Sequence, residues 1–208
     1  MLKSMRNSFK GKIIMKYVKL LFITVISFLM VSCASLPEPS EKVNNLVYGK
    51  VDFNFENYTN ANLLPETERM QTGVEVVIQD RKTRKTYRMS TNGNGEFFHA
   101  NVPAGTYRLS KIEKTVVGNG NEFIFGGKID ERAEVKHAYF FKVEDNYVNN
   151  MGTIDFDIKM LNVSSYNWSL RWGTEEAYKE STELFWKKHS DSDWLYKEWR
   201  NTDDYYRN

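Results

Sequence analysis

The chain has 208 residues, with 29 Lys and Arg against 27 Asp and Glu, three His, and a single Cys. One cysteine excludes a disulfide framework within the chain, and a closed zinc site lacks the cysteines or paired histidines it needs. The formal charge of +2 conceals an asymmetry: residues 1–32 hold six bases and no acid, leaving 23 bases against 27 acids, a net of −4, in the remainder. A nucleic-acid partner, which needs a basic face, loses its compositional support.

Lys3, Arg6, Lys10, Lys12, Lys16 and Lys19 precede the apolar run Leu20 to Val31. That run is too short for a hydrocarbon core of about 30 Å, which takes about 20 residues, so residues 1–32 have the form of a signal peptide rather than a transmembrane anchor. Met15-Lys16-Tyr17 makes a more ordinary start than Met1. Leu29-Met30-Val31-Ser32-Cys33 resembles the lipobox of bacterial lipoproteins, with Met30 where Leu is usual. The resemblance implies that Cys33 is lipidated, with palmitate-type acyl chains, and becomes the mature N-terminus. The protein is then expected in the cell envelope, held to the outer membrane or cell surface by that lipid. The other reading is an incidental thiol behind an ordinary cleaved signal. Acyl chains stabilise membrane binding by about 0.8 kcal/mol per buried methylene, so a multiply acylated anchor would be effectively permanent.

Residues 33–45 are Ser-, Pro-, Glu- and Lys-containing with little apolar content, and read as a tether. Val47, Gly49, Val51, Phe53 and Phe55 alternate with polar neighbours, the pattern of a half-buried strand. Asn57 to Thr72 reads as a long polar loop, a place where such folds bind ligands. Val74, Val76 and Ile78 face inward from the next strand, Asp80 to Thr83 turn the chain, and Tyr87 and Met89 face inward from the strand after it.

Thr91-Asn92-Gly93-Asn94-Gly95 tolerates the positive φ of tight turns, so a hairpin is expected there. Phe97 and His99 then share one face, Val102 to Gly105 make a second corner, and Tyr107 and Leu109 resume the period of two. Gly118 to Asn121 closes a further hairpin, Val135 to Val143 is a strand, and Ile154, Phe156 and Ile158 alternate with polar residues. Strands at intervals of about ten residues point to an antiparallel sandwich.

The run G-E-F-x-x-x-N-V-P-x-G-x-Y-x-L over Gly95 to Leu109 is similar to the signature of carboxypeptidase-regulatory-like and transthyretin-like bacterial domains, akin to the collagen-adhesin B repeats. Covering roughly Asn45 to Lys159, the resemblance implies a mainly β, seven-stranded antiparallel Ig/transthyretin-like β-sandwich over residues 46–160. The phrase from Phe141 to Ile154 looks like its closing hairpin. His99 departs from the pattern, which has an apolar residue there. Lys50 resembles the lysine that forms an isopeptide with a last-strand Asn in some collagen-adhesin B domains, although the acid that catalyses the link is not recognisable.

Residues 161–208 form an aromatic-rich C-terminal helical appendage. Asn162 to Trp172 fits a final strand or an extended crossing. Thr174 supplies an N-cap with Glu175 and Glu176 in the first helical turn, and a helix to about Lys188 follows. Ser190, Asp191 and Asp193 are suited to cap a second short helix.

No Ser or Cys stands in a recognisable nucleophilic triad, no twelve-residue calcium loop is present, and no cofactor or catalytic residue is assigned. His99 must find a polar partner if it points inward; a structural role is the preferred reading and a ligand contact the alternative. Trp168, Trp172 and Trp199 either pack the C-terminal segment on the sheet or form a partner or sugar platform, with packing preferred. The leading expectation is therefore a lipid-anchored envelope protein that binds or scaffolds, partnered by the membrane through its lipid and by an envelope protein or glycan. A glycan- or peptide-binding module is the alternative, and a hydrolase a more distant one.

Overall fold

The computed structural model describes residues 36–56, 72–118, 121–129, 140–162 and 165–202. The chain divides into two compact units, Met1–Leu36 and Pro37–Asn208, and every element belongs to the second. The expected signal peptide, Cys33 and nearly all of the Asn57 to Thr72 loop lie outside the described residues. Among those residues no helix is long and apolar enough to cross a membrane.

The protein is mainly β. Among the described residues ten strands form two sheets: β1 (Leu46–Glu56), β2 (Val74–Asp80), β3 (Thr86–Ser90), β4 (Glu96–Ala100), β5 (Gly105–Gly118), β6 (Asn121–Lys128), β7 (Phe140–Val143), β8 (Tyr147–Asn162), β9 (Ser165–Arg171) and β10 (Glu198–Asn201). One sheet runs β10-β8-β1-β4 with β9 also on β8; the other runs β3-β2-β5-β6 with β7 also on β5. The second sheet is antiparallel throughout, whereas β1 and β10 both lie parallel to β8. Seven antiparallel strands were expected; the extra strands and the parallel pairs depart from that pattern.

The Asn92–Gly95 turn forms as its residues dictate, with Asn92 Oδ1 accepting from the backbone N–H groups of Asn94 and Glu96. It is not a hairpin. β3 pairs with β2 and β4 with β1, so the turn carries the chain from one sheet to the other. Turn chemistry is local and reports a reversal; the pairing is decided by Tyr87 and Met89, which enter the shared core from one sheet while Phe97 enters from the other. The β7–β8 corner crosses between sheets in the same way, in place of the closing hairpin expected there. True hairpins occur at β2–β3, β5–β6 and β8–β9.

Two bulges set which side chains reach that core. Ser110 is the extra residue of β5 against β2, so Tyr107 and Leu109 point inward before it and Ile112 and Val116 after it. In β8 the extra residue falls at Met151–Gly152 opposite Gly49, with Gly152 at φ +77°. Even-numbered residues before this bulge face away from the core and Ile154, Phe156 and Ile158 after it face in.

The away-facing side of the first half of β8 is covered by α1 (Glu175–Lys188), whose N-cap is Thr174, its Oγ1 accepting from Ala177 N at 3.1 Å. Acids in its first turn and lysines in its last suit the helix dipole. Tyr178, Ser181 and Phe185 are its buried face. In place of a second helix capped by Ser190, Asp191 or Asp193, the chain makes a single 3-10 turn, Asp193–Tyr196, capped by Ser192. The expected boundary at residue 160 falls inside β8, and the segment after it is no appendage: β9 and β10 extend the same sheet.

Candidate functional site

The residues singled out in sequence are not gathered into one place. His99 lies half-buried on β4, its Nδ1 donating to Ala100 O at 2.8 Å and its ring meeting Tyr87 edge-on at 5.4 Å. Trp168 packs edge-on against Phe156 of the core, and Trp172 does the same against Phe141 while its indole N–H donates to Met151 O. Trp199 is on the opposite side of that sheet, against Tyr48 and Phe185. Each ring is partly buried and bonded or stacked.

The cluster that sequence reading missed surrounds Glu96. Residues 48, 50 and 96 project from β1 and β4 on the face that α1 covers, opposite Val47, Val51 and Phe97. Glu96 is only 2% exposed. Its Oε1 accepts from Tyr48 OH at 2.9 Å and from His189 Nε2 at 3.3 Å, and its Oε2 from Asn92 Nδ2 at 2.9 Å. His189 is the C-cap of α1, stacked at a tilt on Phe185 with centroids 4.7 Å apart. Burial pushes the Glu96 carboxyl up, but the bonds from His189, Asn92 and Tyr48 outweigh it and hold the group below the ordinary carboxylate range. Burial, and then the Glu96 charge, push the Tyr48 phenol far above its usual range, so it stays a neutral donor. The arrangement fastens the end of α1 to the sheet edge.

A pH dependence follows. Because the folded value of Glu96 is depressed, its contribution is complete above the unfolded carboxylate range and is lost as pH falls through the folded value. Glu96→Gln should therefore destabilise the protein by about 2 kcal/mol at neutral pH, and that difference should narrow as pH falls below the ordinary carboxylate range. Urea midpoints for both chains across that range check it; a difference that does not shrink in acid would contradict the assignment.

The middle of α1 is docked by Asn150. Its Oδ1 accepts from Gly152 N at 2.9 Å and Ser181 Oγ at 2.7 Å, and its Nδ2 donates to Tyr178 O and Thr182 Oγ1 at 3.1 and 3.0 Å. Its neighbour Asn149 instead spans the β7–β8 corner, accepting from Glu144 N at 2.7 Å and donating to Glu144 O at 3.0 Å.

The segment that composition marks as a tether is in part folded onto this same side. Pro37 O accepts from the indole N–H of Trp194, which is fully buried, at 2.6 Å. A carboxylate oxygen of Glu38 accepts from Ser192 Oγ at 3.1 Å and Asp193 N at 2.9 Å, capping the 3-10 turn from outside. Asn45, also buried, donates to Val102 O and Asp145 Oδ1.

Further along that face, Lys50 Nζ lies 2.8 Å from Asp52 and 2.6 Å from Glu180. Burial lowers its affinity for the proton, but the two carboxylates more than reverse this, so it is held above its ordinary range as an ammonium and is unsuited to attack an amide. Asp155 is pushed up by burial and by Asp52, Asp157 and Glu180, with Arg171 opposing. Asp157 accepts from Asn54 Nδ2 at 3.0 Å and lies 3.3 Å from Arg171. Among the described residues no group of three or more His, Cys, Asp and Glu is placed to hold a metal ion.

No family model matches the chain, and neither does any curated protein. Among solved structures it is similar at 14% identity to a leucine-rich repeat protein from Bacteroides thetaiotaomicron, covering 56% of this chain but only 15% of that one, with a TM-score of 0.29. A protein from Pseudomonas aeruginosa described as a "putative carbohydrate binding protein" is 12% identical over 59% of this chain and 99% of that chain, with a TM-score of 0.30.

Proposed function

We propose that the chain is a lipid-anchored protein of the bacterial cell envelope, its two sheets packed as a β-sandwich similar to transthyretin-like and carboxypeptidase-regulatory-like domains, and that it binds or scaffolds rather than catalyses. The observation that carries this reading is the run Leu29 to Cys33, set directly behind a basic and apolar leader and a few residues ahead of the folded body. Two features support it. The polar groups with catalytic potential, Glu96, His189 and Lys50, are engaged in holding α1 to the sheet. Pro37 and Glu38 are bonded to the body, so a lipid on Cys33 would hold that body near the membrane.

Fractionation of cells expressing the wild type and Cys33→Ala tests the reading. The wild type is expected with membranes, and the variant soluble or unprocessed. A wild type found soluble, behaving as the variant does, would overturn it.

A glycan- or peptide-binding module is the second reading, favoured by Trp186, whose ring is 55% exposed on α1 and suited to stacking on a sugar. Quenching of tryptophan fluorescence by envelope saccharides, lost in Trp186→Ala, would support it; no quenching across such a panel would remove it.

A further inference from the structure

The end of the molecule nearest the proposed anchor carries an unexplained exposed side chain. Tyr196, in the 3-10 turn, is 88% exposed. Its turn neighbour Trp194 is fully buried and bonds Pro37, and the turn's first backbone N–H, that of Asp193, is capped by Glu38. The point where the chain enters the folded body and the turn presenting Tyr196 are therefore one bonded unit.

Cys33 and Pro37 are four residues apart, a span of at most about 14 Å when fully extended. The polar interfacial zone of a bilayer is about 5–7 Å deep on each side. A lipid on Cys33 thus keeps this end of the body, and no other described element of necessity, within about 14 Å of the lipidated residue. Tyrosine, apolar along its ring and polar at its tip, is enriched at that depth. The last turn of α1 adds exposed Lys187 and Lys188, but Asp191 and Asp193, also exposed, stand close in sequence. Charge on this end is nearly balanced, so the lipid and the aromatic ring, not a basic patch, set the contact.

We infer that the end built from Pro37, Glu38 and the Asp193–Tyr196 turn rests on the lipid surface, with Tyr196 at headgroup level and the bonds from Ser192, Asp193 and Trp194 fixing the pose. This rests on lipidation of Cys33. It turns the opposite strand ends, where Lys159 of β8 pairs with the exposed Asn167 of β9, away from the bilayer.

The test uses the full lipidated chain in vesicles of phosphatidylethanolamine with a minority of phosphatidylglycerol. With Cys33 blocked by its lipid, Tyr196→Cys or Asn167→Cys supplies the only thiol for an environment-sensitive fluorophore, and a nitroxide on the lipid headgroup is the quencher. Flotation first reports whether the protein is membrane-bound. The expected result is flotation of both variants, with quenching at position 196 severalfold greater than at position 167. Flotation with equal quenching, or with more at position 167, would overturn the orientation while leaving the anchor standing; failure to float would overturn the anchor and the orientation together. Adding Glu38→Gln should leave flotation intact and reduce the contrast between the two positions. An unchanged contrast would overturn the role of the clamp.

Discussion

Trp194→Ala is expected to lower the free energy of unfolding by about 3–5 kcal/mol, the range for removing a fully buried large aromatic. Two losses add: the cavity left beneath the 3-10 turn, and the indole N–H that meets Pro37 O. Trp194→Phe separates them, since it keeps most of the ring and removes the donor, and should cost about 1 kcal/mol plus a smaller packing term. Urea unfolding followed by circular dichroism reads both. With a slope of about 2 kcal/mol per molar urea, the Ala variant should shift the midpoint by about 2 M. A shift no larger than that of the Phe variant would mean that the turn is not packed as described, and would remove the clamp joining residues 37 and 38 to the C-terminal segment.

The second large effect is expected at Asn150. Asn150→Leu keeps the volume but strands Gly152 N–H at the bulge and removes the acceptor of Ser181 Oγ, for a loss of about 3 kcal/mol. Ser181 also reaches Tyr178 O at 3.0 Å, so it retains one partner. Ser181→Ala alone should therefore cost less, and the double variant less than the sum of the two, because both delete the same bond. Strict additivity in urea unfolding would show that α1 is not docked through this pair.

Several elements were legible from local residues alone. The alternation of Val47, Val51 and Phe53, the inward Val74, Val76 and Ile78, and the cap at Thr174 all appear where their periods and side chains place them. What the sequence withholds is partnership. The Asn-Gly turn at Asn92–Gly95 announces a reversal, but whether the flanking strands pair depends on which sheet each can fill, a property of residues far apart in the chain. The two bulges hide faces in another way: on either side of Ser110 and of Met151–Gly152 the same parity of residue number points in opposite directions, so a single period fitted through either strand misassigns half of it.

The Glu96 cluster was invisible for the same reason. Glu96 reads as the polar member of a turn-and-strand motif and His189 as a polar residue just past a helix; the bond joining them spans 93 positions. Pro37 and Glu38 read as tether because composition reports low apolar content, while their acceptors are used by a turn more than 150 residues later. The tryptophan-rich segment gives little sign of its form, because β10 is four residues long and carries too little periodicity to declare itself.

The central claim is that a lipid on Cys33 holds this β-rich body at a membrane, and mass spectrometry of the mature protein tests it most directly. The account predicts an N-terminus at Cys33 carrying a glyceryl and acyl adduct, and no ammonia-sized loss elsewhere, since Lys50 is held as an ammonium by Asp52 and Glu180. A mature chain that begins at another residue, or at an unmodified Cys33, would contradict it.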